Sequence, residues 1–352
     1  MADYAKALTL NCPVTLPAGD RVLLGHGSGG KLTADLISKI FVPAFHNPVL
    51  DRLDDQAIVS VNGTRLAFTT DSFVVKPLFF AGGDIGSLAV HGTVNDLAMG
   101  GARPLFLSTA FIIEEGLPLE TLQRVVTSLQ AAAATAGIEV VTGDTKVVEQ
   151  GSGDELFINT TGIGIVPNHL RLSADQARPG DKILLSGPIG DHGIAILAQR
   201  AGLEFESTIV SDSASLYPLV KAMLETGAAI RCMRDPTRGG VSSALNEIAA
   251  QSNVGMALEE EQIPIREEVK GACEMLGLDP LYVANEGKLV AIVERRHADL
   301  LLATMRSHPL GREARIIGTV TDQHPRTVVM RTAFGTTRIV DMLSGDQLPR
   351  IC

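Results

Sequence analysis

At 352 residues the chain is long enough for two domains, each with its own core. Hydrophobic residues make up 45%, charged residues 20% and aromatics 4%, with no Trp and 35 glycines, a mixture suited to an Ala/Gly/Val-rich α/β enzyme. The formal charge of -10 and the lack of a Lys/Arg cluster argue against a nucleic-acid or anionic-membrane surface, so any phosphate is held locally by glycines and metal.

Residues 1–21, with Pro13 and Pro17, read as an extended lead-in without the basic stretch and apolar core of a signal peptide. No apolar run approaches the roughly 18 residues of a bilayer span, and the expectation is a cytoplasmic protein. Gly25-His26-Gly27-Ser28-Gly29-Gly30-Lys31 is too glycine-rich for regular structure and leads into helical apolar spacing at Leu32, Leu36, Ile37 and Ile40. Gly25 and Gly30-Lys31 have the spacing of a Walker loop, but Leu32 stands where that motif needs a magnesium-binding hydroxyl. Two readings stay open for Gly29, Gly30 and Lys31: a glycine lid whose N–H groups meet a phosphate, or a mobile surface loop.

Residues 66–70 read as a strand with Asp71-Ser72 at its end, where a carboxylate suits ligand chemistry or caps a turn. Asp84 is a natural helix N-cap, and Ile85, Leu88, Ala89, Val94, Leu97 and Ala98 space a packed helix after it. Asn95 and Asp96 set polar groups beside that stripe and call for a metal or polar partner. A strand at 105–113, an amphipathic helix at 117–136 between Pro118 and Gly137, and a strand at 138–141 follow. Asp144 stands just past that strand, two residues before Lys146. Asp71, Asp84, Asn95, Asp96 and Asp144 make an oxygen-rich set that selects magnesium or manganese over zinc. Each aspartate, taken singly, also reads as a cap or turn residue.

After a strand at 156–166, Ala177-Arg178-Pro179-Gly180-Asp181 breaks the chain, and the domain boundary is expected at 170–180. This gives an N-terminal domain at 22–172, a C-terminal α+β domain at 173–340 and a mobile tail at 341–352. The second domain alternates helices at 190–200, 213–225, 241–250 and 296–305 with strands at 183–185, 256–258 and 289–293. Within it, Met233-Arg234-Asp235-Pro236-Thr237-Arg238-Gly239-Gly240 is a turn opening a helix, offering Arg238 and backbone N–H groups to an anion. Ala284-Asn285-Glu286-Gly287-Lys288 reads, on its chemistry, as a plain surface turn.

The sequence ends Leu348-Pro349-Arg350-Ile351-Cys352. A prenylation box needs three residues after its cysteine, and Cys12, Cys232 and Cys273 lack the paired spacing of a disulfide framework. Two readings stay open for the Cys352 thiol: one handed between pockets on a tether reaching roughly 26 to 29 Å from Gly345, and an incidental group on a frayed end. Arg350 is placed to offset the carboxylate that raises the pKa of this thiol.

Asp71-Ser72-Phe73, Gly83-Asp84-Ile85-Gly86, the run from His91 to Met99, Gly143-Asp144-Thr145-Lys146, the run from Arg234 to Gly240 and Asn285-Glu286-Gly287 resemble the ATP-dependent superfamily of aminoimidazole ribonucleotide synthetase. With Pro349-Arg350-Ile351-Cys352, the chain resembles the hydrogenase-maturation branch, the carbamoyl dehydratases, from about Val22 to its last residue. The resemblance implies a two-domain PurM-like fold, with an N-terminal α/β domain that forms a homodimer through a β-barrel-like interface and a C-terminal α+β domain that closes the cleft. It implies ATP and Mg2+ as cofactors, a carbamoyltransferase partner, HypF, that places a carboxamide on Cys352, and ATP-dependent dehydration to a thiocyanate. The nitrile would become a cyanide ligand of NiFe-hydrogenase iron on the HypC–HypD scaffold. By the same motifs, Asp71, Asp84, Asn95, Asp96 and Asp144 should serve metal and phosphates. Lys146 should orient the amide or its phosphate, and Glu286 should take a proton from nitrogen. The alternatives are a small-molecule synthetase or kinase of the superfamily (selenophosphate synthetase, cyclo-ligase, thiamine phosphate kinase) and a binding module that presents Cys352 as a ligand.

Overall fold

The computed structural model of the chain describes residues 21–202, 209–345 and 350–352, so the expected lead-in with Cys12 and part of the tail, 346–349, lie outside it. Helix α1 (Lys31–Leu36) follows Gly30 directly and runs through a wider turn at Ile37–Phe41 into α2 (Val42–Phe45). Next come β1 (Ala57–Val61), β2 (Thr64–Phe73), the short pair β3 (Phe79–Phe80) and β4 (Gly83–Asp84), and α3 (Ile85–Met99). Then follow β5 (Arg103–Glu114), α4 (Leu119–Ala136), β6 (Glu139–Val148) and β7 (Leu156–Val166). The five long strands order as β1-β2-β7-β5-β6, with β5 and β6 parallel because α4 crosses over between them.

Asp84 does cap α3: its Oδ1 accepts from the Gly86 and Ser87 amides at 2.7 and 3.1 Å, while Ser87 Oγ accepts from the Asp84 amide. The helix is apolar on nearly every side because it is enclosed by the sheet, by α4 and by the second domain. Gly162 lets it lie against β7, since a Cβ there would stand 2.7 Å from Thr93 and 2.9 Å from Leu97. The other face of this sheet is open. Phe68, Ile163 and Phe106 form a row across β2, β7 and β5, with Ile112 further along, each between 37% and 46% exposed.

Over 167–181 the chain passes to β8 (Lys182–Leu185), α5 (Asp191–Ala201), α6 (Tyr217–Glu225), β9 (Ile230–Arg234), α7 (Gly240–Ser252), β10 (Gly255–Glu259) and α8 (Glu267–Leu276). It finishes with β11 (Val290–Val293), α9 (Ala298–Ser307), β12 (Arg315–Thr321), β13 (Val328–Arg331) and β14 (Thr337–Ile339). The seven strands order as β14-β13-β10-β12-β8-β11-β9. Ile183, Leu185, Val290 and Ile292 face α7, while Leu184, Ala291 and Val293 face α6 and α9, so both faces are covered and the strands read as unbroken apolar runs. Ala98 and Met99 of α3 join the second of these layers, and Phe73, Ile85 and Leu88 share a core with Ile194, Val269 and Val283. The two domains therefore meet along α3.

Several expected bounds shift. β2 continues to Phe73 and β6 to Val148, so Asp71 and Asp144 lie inside strands instead of beyond them, because Asp71 stays paired with Thr160 and Asp144 with Ala110. The helix expected from 213 begins at Tyr217, with Pro218 in its first turn. β1, β9, α8 and β12 to β14 were not expected. The end of the tail is docked: Ile351 and Cys352 are buried in the core shared by the domains. No helix among the described residues is long and apolar enough to cross a membrane.

Candidate active site at the domain junction

Two walls face each other where α3 meets the second domain. On the first, Asp71 of β2 sits beside α3, where Gly92 permits the approach: a Cβ there would be 2.9 Å from Phe73 Cζ and 3.6 Å from Asp71 Oδ2. Asp96 accepts from Thr69 Oγ1 at 2.8 Å. On the second, Asp235 follows β9, and Arg234 forms an ion pair with Asp55 and donates to the Leu53 carbonyl at 2.6 Å. Asp96 is pushed well above the usual carboxylate range, first by burial and then by Asp235, Asp71 and Asp55. Asp235 is raised likewise, by burial and Asp55, and Asp71 by burial against the pull of Arg238. Crowded carboxyls resisting ionisation mark a place where a cation would be welcome.

Asn285 and Glu286 are not a surface turn. The Asn285 amide bridges the Gly190 N–H and the Pro236 carbonyl, at 2.8 and 2.9 Å, which buries the next residue, Glu286. The Glu286 amide donates to Asp212 Oδ1 at 3.0 Å, and Asp212 Oδ2 accepts from Lys288 Nζ at 3.0 Å. Burial alone would raise Asp212, but Lys288 and the Glu286 N–H outweigh it and hold the carboxyl low. Glu286 is pushed well above its ordinary value by burial and by Asp71, Asp235 and Asp212, and its Oε1 has no hydrogen-bond partner among the described residues. Arg238, itself open to solvent, donates to the Gly27 carbonyl at 3.2 Å and is the cation that offsets these acids.

Cys352 enters this chamber. The Val74 amide donates to a carboxylate oxygen of Cys352 at 2.9 Å and the Lys76 amide to the Arg350 carbonyl at 3.3 Å. Burial pushes the Cys352 thiol up to about 12, with Glu286 and Asp71 adding to the shift and Arg238 opposing it. The expectation that Arg350 tunes the thiol is corrected: its guanidinium pairs with Asp154, lies 5.9 Å from the Phe157 ring centroid and donates to the Val74 carbonyl at 3.1 Å. Arg238 has the role that Arg350 was expected to play.

The structure brings Asp71, Asp96, Arg238, Glu286 and Cys352 together and gives the other expected residues different partners. Asp84 caps its helix through Oδ1. Asn95 fastens α3 to the second domain, donating to the Ala214 and Glu286 carbonyls at 3.0 and 3.2 Å and accepting from the Leu216 amide at 2.8 Å. Asp144 and Lys146 pair with each other at 2.7 Å on the exposed strand β6, and this pairing holds Asp144 below the usual range. Lys31 pairs with Asp341 at 2.5 Å. The glycine loop is tied down: a Cβ on Gly30 would lie 2.2 Å from the Leu343 carbonyl oxygen, and one on Gly29, at φ +74, 2.4 Å from that of Arg238.

Gly29 also borders a cavity of about 180 Å³ with Asp55, Asp235, Arg238, Ser243 and Glu247. Asp235 Oδ2 and Ser243 Oγ are buried there without hydrogen-bond partners among the described residues, so the cavity suits a polar guest. No three His, Cys, Asp or Glu side chains among the described residues converge as a metal cage. Asp235 Oδ2, buried without a partner, and the neighbouring Asp96 and Asp71 are oxygen donors of the kind that magnesium takes beside phosphate and water.

Sequence reasoning missed Asp55, Asp212, His192, Lys288 and Asp235 as site residues. Asp235 stood inside a motif already singled out. Asp212 carries no local signal, since folding alone brings it beneath Glu286.

The sequence matches the AIR synthase related protein family, in its N-terminal domain over residues 53–166 and its C-terminal domain over 178–331. Carbamoyl dehydratase HypE of Azotobacter vinelandii is 61% identical over 327 residues, 93% of this chain and 96% of that protein. A solved HypE–HypF complex superposes with a TM-score of 0.84 at 50% identity, covering 88% of this chain and 99% of that one. A solved HypE in complex with ATP gives 0.80 at 50% identity, over 94% and 100%.

Proposed function

Because the chain belongs to the HypE family of carbamoyl dehydratases, we propose that it dehydrates a carboxamide on the Cys352 sulfur to a thiocyanate, using ATP, and so supplies cyanide for NiFe-hydrogenase iron. The observation that carries this reading is the burial of Cys352 between Arg238, Glu286 and Asp71, where both domains meet. ATP, when bound, supplies the phosphoryl group that turns the amide oxygen into part of a leaving phosphate, so the carboxamide loses one oxygen and two protons.

The chain's residues supply the rest. Glu286, raised by burial, becomes a strong base once ionised and accepts one proton from the nitrogen, while the second leaves with the phosphate. Arg238 faces the sulfur-borne group and stabilises negative charge developing on its oxygen. Asp235, which lines the cavity that Gly29 borders, would hold Mg2+ beside phosphates together with its neighbours Asp96 and Asp71. Asp212 and Lys288 fix the backbone of Glu286 from behind. Burial of the tail keeps water from the activated carbon.

In the same reading the open face of the first sheet takes a second copy of the chain. Lys146 and Asp144 lie on the edge strand of that sheet, where the homodimer would give them partners beyond β6 and bring Lys146 to the amide or its phosphate. HypF is the carbamoyltransferase that loads Cys352, and HypC–HypD receives the cyanide. The test is mass spectrometry of the C-terminal peptide after incubation with the carbamoyltransferase, carbamoyl phosphate and ATP. We expect a carbamoyl adduct on Cys352 that loses the mass of one water only when ATP is present. An unmodified Cys352 beside an active carbamoyltransferase would refute the reading in favour of a small-molecule synthetase.

A further inference from the structure

Residues 350–352 lie along residues 74–76 in antiparallel fashion: the Lys76 amide meets the Arg350 carbonyl, and the Val74 amide meets the Cys352 carboxylate. The Ile351 carbonyl between them takes no part in this pairing and lies in the core. Left alone there, it would be a buried acceptor without a donor. His192, the second residue of α5 and fully buried, meets it with Nε2 at 2.6 Å. On the other side of the ring, Nδ1 lies 2.8 Å from Ser211 Oγ, and that oxygen already accepts from the Ser213 amide at 3.1 Å. A carbonyl oxygen can only accept, so the ring hydrogen stands on Nε2, aimed at the tail, and the bare Nδ1 accepts from the Ser211 hydroxyl. Phe80 packs edge-on against the imidazole, ring centroids 5.6 Å apart, and fixes its plane.

We propose that His192 is a positioning residue that sets the register of the reacting tail through the Ile351 carbonyl. Slipping the tail by one residue would turn the Cys352 side chain to the opposite face. Slipping it by two would move the thiol roughly 6 to 7 Å from Arg238 and Glu286. Either slip replaces the matched carbonyl at Nε2. This proposal rests on the reading that Cys352 carries the reacting group, but it can be tested apart from the chemistry.

The experiment compares full-length wild type, His192→Leu and His192→Gln, the last keeping an N–H donor near the Nε2 position. The first readout is the rate at which iodoacetamide alkylates Cys352, taken from the mass of the C-terminal peptide. The second is the single-turnover rate at which carbamoyl-loaded protein is dehydrated with ATP. We expect His192→Leu to speed alkylation and slow dehydration, each about ten-fold, as for a buried carbonyl that loses its donor. His192→Gln should restore both to near the wild-type rates. Loading by the carbamoyltransferase should be unchanged in both variants. A folded His192→Leu protein whose Cys352 alkylates at the wild-type rate would overturn the proposal, as would failure of His192→Gln to rescue. Should His192→Leu not fold, Ser211→Ala, which frees the tautomer, decides by the same rate: faster alkylation supports the proposal and no change sinks it. If wild type itself does not dehydrate, the proposed function fails, while alkylation still decides on His192.

Discussion

The domain junction and the exposed strand β6 carry the same residue types in opposite states. At the junction, Asp71, Asp96, Asp235 and Glu286 crowd together in the protein interior and are driven above the usual carboxylate range. On β6, Asp144 lies in solvent with Lys146 beside it and is held below that range. The sign is set by burial and by the nearest charge, not by the motif in which the aspartate stands. The junction is poised to take up a cation or yield a base, whereas the pair on β6 is already neutralised.

The sharpest way to break this contrast is to remove the junction's opposing cation. Arg238→Met should slow dehydration of loaded protein about 100-fold, as for loss of one donor to a developing charge, in single-turnover assays. A rate near wild type would take Arg238 out of the chemistry.

A smaller effect concerns the docked thiol. Cys352 is raised from 9.0 to about 12 in the docked state, so docking favours the neutral thiol. The stabilisation is complete below the ordinary thiol value and is lost as pH rises toward about 12. Between about pH 7 and 9, Cys352 in the folded protein should alkylate at least about ten-fold more slowly than in the denatured chain, as read by peptide mass. Equal rates would mean that the thiol is not held in the chamber.

The smallest effect compares the two regions directly. The ionised form of Asp96 is disfavoured in the folded state, so its contribution to stability is present at low pH and is lost as pH rises through its raised pKa. Without nucleotide or metal, Asp96→Asn should stabilise the protein at neutral pH and raise its Tm. Asp144→Asn should leave Tm unchanged, because its charge is screened in water. A fall in Tm for Asp96→Asn, measured calorimetrically, would show that the junction carboxyls are not in conflict.

How much of this was legible depends on whether the signal was local. The cap at Asp84 and the apolar repeat after it announced α3, and Pro118 and Gly137 bracketed α4, because each belongs to a single turn of chain. β9 and β12 were passed over although they lie in the second sheet, since runs of four to seven residues gain their identity from neighbours. The chamber was half legible. Asp71, Asp96, Arg238, Glu286 and Cys352 were named from their motifs, yet the polar run around Glu286 reads chemically as a surface turn. Only the bridge that Asn285 makes between Gly190 and Pro236 buries it. His192 and Asp212 were out of reach, as their partners lie on segments far away in sequence.

The most direct test of the junction as the place of reaction is the fate of carbamoyl-loaded Glu286→Gln on mixing with ATP, followed by quench and mass spectrometry. We expect ATP to bind with unchanged affinity while the carbamoyl adduct persists and no thiocyanate forms. Dehydration at the wild-type rate would contradict the role given to Glu286 and, with it, the claim that the buried junction performs the proton transfer.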